Sequence, residues 1–284
     1  MTNVETEASR TRIAAQAAAF ALVDQHQEDM FSASAVERLA ALFDVDRLPG
    51  EPGALPPLGH WLHFLPADRQ SRMGADGHPL RDGASTFLRR MWAGGEVQFL
   101  EPAPLGEKAV RRTVVENFER KNGKAGALVF VTVSHVISVA GRDAISERQD
   151  IVFLENAPPY SAGKASDRTS QFTQVVDPDI VALFRYSALT FNGHRIHYDL
   201  DYARDVEGYP GLLVHGPYQA TMLLYHALAR CPERSPLRFS FRAVRPLVAG
   251  KPFQLCLAER EGGYEMWSLD ADGAECMRAE VDLA

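Results

Sequence analysis

The sequence predicts an α+β protein built from two antiparallel sheets, each wrapped on a central helix. Three observations carry that prediction. Two series of four strand-like segments follow one another, at 87–99, 109–118, 127–139 and 145–153 and again at 237–244, 253–259, 264–269 and 275–283. They are rich in β-branched and aromatic residues and are separated by short turns. Each series carries a Pro-x-x-x-Gly pattern after an aromatic and basic strand, with Pro102 and Gly106 in the first and Pro246 and Gly250 in the second. This repetition indicates an internal duplication. Finally, the helix-spaced run 217–230 has the length to lie in the concave face of a curved sheet.

Composition narrows the function classes. The chain has 284 residues and the apolar and charged fractions of an ordinary globular protein. A formal net charge of −7 argues against general binding to nucleic acid or an anionic membrane. No run approaches the roughly 18–20 apolar residues of a membrane span. Glu5, Glu7, Arg10 and Arg12 do not fit a secretory signal, so a cytoplasmic location is expected. Cys231, Cys256 and Cys276 are scattered and odd in number, the usage of free thiols in a reducing compartment. No metal and no redox cofactor is expected.

In chain order, 8–31 is alanine-rich with Ile13, Ala17, Phe20 and Val23 near helical spacing, which predicts a helix. A second helix is signalled by Ser34 and Glu37 as a capping box ahead of Val36, Leu39, Ala40 and Phe43. The prolines and glycines of 49–59 predict an extended loop, followed by an aromatic anchor at 61–66 in which His63 could face a pocket. The first strand series completes a unit over 1–155 without a catalytic motif. Residues 156–176 read as a linker, and 177–284 as the unit that carries the chemistry. The second unit opens with a helix that has Asp177 as cap and Pro178 at its first position, with Ile180, Leu183, Phe184 and Ala188 as its apolar face. A polar loop at 190–199 follows, then a short helix near 200–206. The helix after it opens at His215, Gly216 and Pro217, with Ala220, Leu223, Leu224, Ala227 and Leu228 on one face.

The loop and the helix start are the candidate site. His197 can take or give a proton near neutral pH. Asn192, five positions earlier, can hold a water but cannot exchange protons. Gly216 opens a helix, where unpaired N–H groups favour a developing negative charge and the absent side chain allows close approach of a thioester oxygen. The structural alternatives are an Asn and a His that bond only the backbone of a turn, and an ordinary helix start.

The residues Phe191-Asn192-x-His194-Arg195-Ile196-His197-Tyr198-Asp199, with 211–220 around His215-Gly216-Pro217, resemble the MaoC-like hydratases and dehydratases of the hotdog fold. Within them the resemblance is to the double-hotdog group that contains mesaconyl-C4-CoA hydratase and type 2 hydroxyacyl-thioester dehydratases. Segments 57–66, 89–99 and 147–153 share it, so that it covers about 55–284 and leaves the first 50 residues out. It implies a hydro-lyase acting at the α,β position of a short acyl-CoA, with coenzyme A as part of the substrate. The family motif, Gly-Asp-x-Asn-Pro-x-His, has an Asp where this chain has Asn192. His197 carries over as catalytic acid or base, Asn192 only as a water holder, and Gly216 as the oxyanion donor. Asp199 is a substitute carboxylate or the start of the next helix. Arg195, absent from the simpler motif, either binds the far carboxylate of a branched C5 dicarboxylic thioester such as mesaconyl-C4-CoA or itaconyl-CoA or makes a surface or structural salt bridge. Tyr198, His194 and His215 complete the expected substrate contacts. The alternatives are a dehydratase of fatty-acid type, an acyl-CoA thioesterase and a non-catalytic acyl-thioester-binding protein, in a monomer or a homodimer.

Overall fold

In the computed structural model, residues 25–80, 89–123, 126–154 and 159–284 are described. They form one continuous ten-stranded sheet. Its strands are β1 (Gln25–Met30), β2 (Arg89–Phe99), β3 (Lys108–Gly123), β4 (Gly126–Val139), β5 (Arg142–Leu154), β6 (Phe172–Val176), β7 (Pro236–Ala243), β8 (Phe253–Arg260), β9 (Gly263–Leu269) and β10 (Glu275–Leu283). The helices are α1 (Ala33–Leu42), α2 (Ile180–Leu189) and α3 (Gly216–Leu228). Among the described residues no helix is long and apolar enough to cross a membrane.

The strand order β1-β3-β4-β5-β2-β7-β10-β9-β8-β6 contains the duplication. Read outward from the β2–β7 seam, each half runs fifth, fourth, third and first within its own series, after its second strand. The two halves therefore share one topology and join edge to edge, where Gly94 to Gln98 pair with Arg242 to Arg238. The Pro-x-x-x-Gly repeat holds the same place in both, between the second and third strands. Its glycines are both left-handed, Gly106 at φ 84° and Gly250 at φ 92°, a conformation that suits glycine.

Each half has five strands rather than the expected four. The added strands, β1 and β6, are the outermost ones. The part of the helix expected over 8–31 that is described is β1, and the rest lies outside the described residues. Gln25–Met30 has no apolar stripe to bury as a helix, and its backbone is satisfied by β3, from Gln25 against Thr113 to Met30 against Lys108. Likewise the segment expected as a linker over 156–176 ends in β6, paired with β8.

Helix starts also differ from expectation. The Ser34–Glu37 capping box is not made: the N-cap residue of α1 is Ser32, whose hydroxyl bonds that of Ser34 at 2.8 Å. In α2 the cap is Asp179, accepting from Ala182 N at 2.7 Å, two residues beyond Asp177. Its inward face is Leu183, Tyr186 and Ser187, whereas Ile180 and Phe184 are 57% and 60% exposed.

The expected face of α3 is buried throughout, and this helix packs on β7, β8, β9 and β10. Truncating Leu223 or Leu224 to Ala should cost ~2–5 kcal/mol. In the first half the corresponding place holds, among the described residues, a turn of 3-10 helix, Gly59–Leu62, against which α1 packs. The three cysteines are buried free thiols.

Candidate active site

The candidate loop grows directly from α2. Thr190 Oγ1 bonds Tyr186 O at 2.8 Å to end the helix, and Asn192 Oδ1 accepts from His194 N at 3.0 Å to turn the chain. Arg195–His197 is one 3-10 turn. Asp199 then starts the next helical turn, with Oδ1 accepting from Tyr202 N at 3.0 Å. That capping role, not catalysis, is where Asp199 is used.

His197 is buried and lines a cavity of about 1120 Å³ that draws its walls from both halves. Its Nδ1 donates to Leu213 O at 2.9 Å, so Nε2 carries the lone pair. Burial lowers its pKa to about 4, against the raising effect of the Leu213 bond, and keeps the ring neutral near pH 7. The ring stacks on His215, centroids 3.6 Å apart and 17° from parallel. His215 is fully buried and bonded through Nε2 to Ser187 Oγ at 2.8 Å. Burial and the neighbouring His197 push its pKa down, as two stacked imidazoliums would repel. His215 does not line the cavity. It supports His197 from beneath, which corrects its expected substrate contact.

Gly216 is the first residue of α3, so its N–H is one of those the helix leaves without an internal acceptor. A Cβ there would stand 2.9 Å from Trp92 Cε3. The glycine thus admits the Trp92 ring, stacked on Phe241 at 4.2 Å, against the helix end. Gly216, Asn192, His194 and Tyr198 all face the cavity. The Tyr198 hydroxyl donates to Gly193 O at 2.8 Å within the loop.

Of the two roles open to Arg195, the structure shows the salt bridge. Its Nε and Nη2 both reach Asp199 Oδ2, at 3.0 and 2.7 Å, and Nη1 donates to Ala75 O at 3.0 Å. Its guanidinium lies 4.2 Å over the Tyr202 ring. All of it is outside the cavity wall, so it fastens the loop rather than binding a carboxylate. His63 faces the same cavity, as expected, with both ring nitrogens engaged: Nε2 accepts from Ser32 N at 2.9 Å and Nδ1 donates to Gly59 O at 3.1 Å.

The sequence reading missed what the first half contributes. Glu147 on β5 is buried in the cavity wall, bonded by Trp61 Nε1 at 2.7 Å, Gln149 Nε2 at 2.8 Å and His60 Nε2 at 3.3 Å. Burial alone would raise its pKa, but the charge and hydrogen bond of His60 help bring it down to about 2. Arg111 on β3 lines the same wall and stacks 5.0 Å over Phe64. A short hairpin at 73–80 brings Asp76 and His78 against His194, and the three stand close enough, within 4.8 Å, to share a cation. The signal for that hairpin is the Asp76-Gly77 turn.

Comparison with known proteins places this geometry. The family model described as hydroxyacyl-thioester dehydratase type 2 matches residues 58–249. The mesaconyl-C(4)-CoA hydratase of Chloroflexus aurantiacus is 40% identical over 267 residues, covering 92% of this chain and 95% of that protein. The mitochondrial hydroxyacyl-thioester dehydratase type 2 of Schizosaccharomyces pombe is 28% identical over 72% of this chain and 78% of its own. A solved MaoC-like dehydratase from Phytophthora capsici superposes with a TM-score of 0.67 at 14% identity, over 92% of this chain and 95% of that one, and shares the hotdog fold. The chain is a hydro-lyase, and it belongs to the hydroxyacyl-thioester dehydratase type 2 family.

Proposed function

We propose that the protein adds water across the α,β double bond of a short enoyl-CoA with a second carboxylate, mesaconyl-C4-CoA being the first candidate. The observation that carries the reading is His197: buried, neutral, its Nδ1 tied to Leu213 O, its remaining nitrogen a base beside the cavity. Nε2 would take a proton from water as the oxygen bonds Cβ. Asn192 would hold that water by its amide N–H, since its Oδ1 already serves His194 N. The thioester oxygen would gather the displaced electrons at the Gly216 N–H, in a water-poor site where such a donor counts for most. Gly216 can serve there because its N–H opens α3 and it lines the same cavity. The reading needs no cofactor beyond the coenzyme A of the substrate.

The similarity to mesaconyl-C(4)-CoA hydratase over nearly the whole chain favours the dicarboxylic substrate over a plain fatty enoyl one. With Arg195 committed to Asp199, Arg111 is the better carboxylate partner. Its Nε is buried without a hydrogen bond, while Nη2 donates to Gln27 Oε1 and Phe64 O and the carboxylates of Glu147 and Asp29 act on its charge. Incubation with mesaconyl-C4-CoA, itaconyl-CoA and crotonyl-CoA, following loss of enoyl absorbance and release of free thiol, tests the assignment. Enoyl loss without thiol is expected from wild type, and none from His197→Ala at unchanged melting temperature. Thiol release would make the protein a thioesterase instead.

A further inference from the structure

The residue that turns the chain out of α2 is a phenylalanine where a glycine is usual. Asn192 N donates to Ser187 O at 2.8 Å and Phe191 N to Ala188 O at 3.4 Å, the bond pair of a helix end whose left-handed residue is commonly glycine. Phe191 takes that place at φ 49°. In the Gly-Asp-x-Asn-Pro-x-His motif the glycine holds the same place, one residue ahead of the position that Asn192 fills. A Cβ crowds the backbone in this conformation, and for a bulky residue it is an outlier.

Packing within the protein does not offset that strain. Among the described residues the other non-glycine positions with positive φ have local reasons. Asp44 is of a type that tolerates it, and Ala140 sits in the two-residue turn between β4 and β5. Leu58 and Phe64 are buried in the core. Phe191 is instead 63% exposed. An exposed phenyl ring on a strained backbone is favoured neither by water nor by the core, so the contact that favours it is one made on binding.

The ring lines the cavity that holds His197. Phe184, also exposed, and Ala188 line it too, one turn apart on the same side of α2, and so do Leu65, Pro66 and Ala67. Exposure falls along the loop from Phe191 through half-buried Asn192 to buried His194 and His197. Phe191 therefore stands at the open side, and the chemistry lies deep. A coenzyme A thioester has to match that gradient. Its acyl group must reach His197, while its phosphates keep their charge in water. What crosses the rim between them is the pantetheine arm, an uncharged chain of methylenes, amides and a gem-dimethyl group.

We propose that Phe191 and Phe184 are substrate-binding residues that seat the pantetheine arm at the rim of the cavity, and that the strained backbone of Phe191 holds its ring there. This rests on the acyl-CoA reading above. The rings cover methylene and methyl groups and so set where the thioester enters relative to Asn192, the next residue in the chain. The contact is the same before and at the transition state, so its loss falls on KM and not on kcat.

The enoyl group that the wild type hydrates is offered on coenzyme A, on pantetheine and on N-acetylcysteamine, which keeps the thioester but lacks most of the arm. Wild type, Phe191→Gly, Phe191→Tyr and Phe184→Ala are compared by kcat, KM and melting temperature. Phe191→Gly should raise KM ~5–50-fold on coenzyme A and on pantetheine, the worth of covering part of a phenyl ring. Its kcat on both, and its kcat/KM on N-acetylcysteamine, should stay within about three-fold of wild type. Phe191→Tyr keeps the ring and should keep the wild-type KM. Phe184→Ala, on the helix and clear of the loop, should show the same split between carriers. The melting temperature of Phe191→Gly should equal or exceed that of wild type, because glycine relieves the backbone and no core contact is lost. A clearly lower melting temperature would show that the ring packs in the free protein, and overturns the proposal. So does a rise in KM on coenzyme A alone, which would put the rings against the nucleotide. An equal loss on all three carriers would trace the effect to the acyl group or to a loosened loop, and overturns it as well. Unchanged KM in Phe191→Gly or in Phe184→Ala does the same. A wild type inactive on every enoyl-CoA removes the acyl-CoA reading and this one together, whereas an active wild type with unaffected variants removes this one alone.

Discussion

Gly216→Ala tests the join between the halves and the chemistry at once. The new methyl carbon would stand 2.9 Å from Trp92 Cε3 and 3.3 Å from Cζ3. The ring has little room to retreat, since it is stacked 4.2 Å from Phe241 and meets the edge of Trp61 at 5.4 Å. Overpacking of this kind costs ~1–3 kcal/mol. Against it, Ala is favoured over Gly in a helix by at most ~1 kcal/mol. The net loss of stability, read by urea unfolding, should be about 0–2 kcal/mol. Activity should suffer more, because moving the helix start by a fraction of an ångström displaces the N–H from the thioester oxygen. A misplacement of about 1 Å at a reacting centre costs ~10²-fold, so kcat should fall by roughly 10- to 100-fold. The double variant Gly216→Ala/Trp92→Val should recover part of the stability, since the two positions share one contact. A single variant with wild-type kcat and wild-type stability would refute the reasoning, because neither the contact nor the donor would then matter.

The remaining predictions use the same assays. Arg111→Gln should lower kcat/KM for mesaconyl-C4-CoA ~10–100-fold relative to crotonyl-CoA, the worth of a charge-assisted hydrogen bond. Arg195→Gln should leave that ratio unchanged and instead make the 73–80 hairpin more open to limited proteolysis, because Ala75 O and Asp199 lose their donor. For the pH dependence, kcat/KM should hold down to about pH 5 and fall through about pH 4, where His197 takes a proton. An acid limb near 6.5 would refute its burial. Stability should fall earlier: His135 and His197, lowered to about 4 chiefly by burial, stay neutral in the fold while the unfolded chain takes up protons below about 6.5. Each such group removes ~1.4 kcal/mol per pH unit across that window. Glu147, also depressed, adds a loss from about 4.5 down to its folded value of about 2. A melting temperature constant from pH 7 to pH 4.5 would contradict this.

What the sequence disclosed follows from where the physical signal is local. Eight strands and α3 announce themselves by period, because one face of each is buried. β1 and β6 do not: Gln25–Met30 is polar, and its structure is imposed by the unpaired edge of β3. The inward face of α2 was misjudged because Ile180 and Phe184 are apolar yet exposed, while Tyr186 and Ser187 turn inward to His215. In the loop, the motif singles out His197, which lies in the cavity wall. The Arg195–Asp199 pair was visible too, as an i,i+4 pair on one turn, and it outweighs the role suggested by substrate chemistry. His78 and Glu147 could not be placed, since only the joining of two halves brings them into the wall of the cavity that His197 also lines.

The duplicated topology also accounts for the space in which a substrate could sit. In the first half Ala54 bridges Pro104, with Leu55 N on Ala103 O at 2.7 Å and Leu105 N on Gly53 O at 2.9 Å. In the second half Leu213 bridges Val248, with Val214 N on Leu247 O at 2.9 Å and Ala249 N on Leu212 O at 2.7 Å. The Pro-x-x-x-Gly loops are thus gripped identically, and the chain that grips them leads next to Gly59–Leu62 in one half and to α3 in the other. The same topological position therefore holds a helix of 13 residues in the second half and a turn of 4 in the first. Where α3 fills its sheet with Leu223, Leu224 and Ala227, the inward positions of β3, β4 and β5 present Thr113, His135 and Glu147 to a cavity. Where the described residues of the first half hold no long helix, room is left and polar groups face it. The intact helix opposite keeps its N-terminus, and with it the Gly216 donor. Divergence of the two repeats, one shortened and one retained, thus produces both the pocket and the group that faces it.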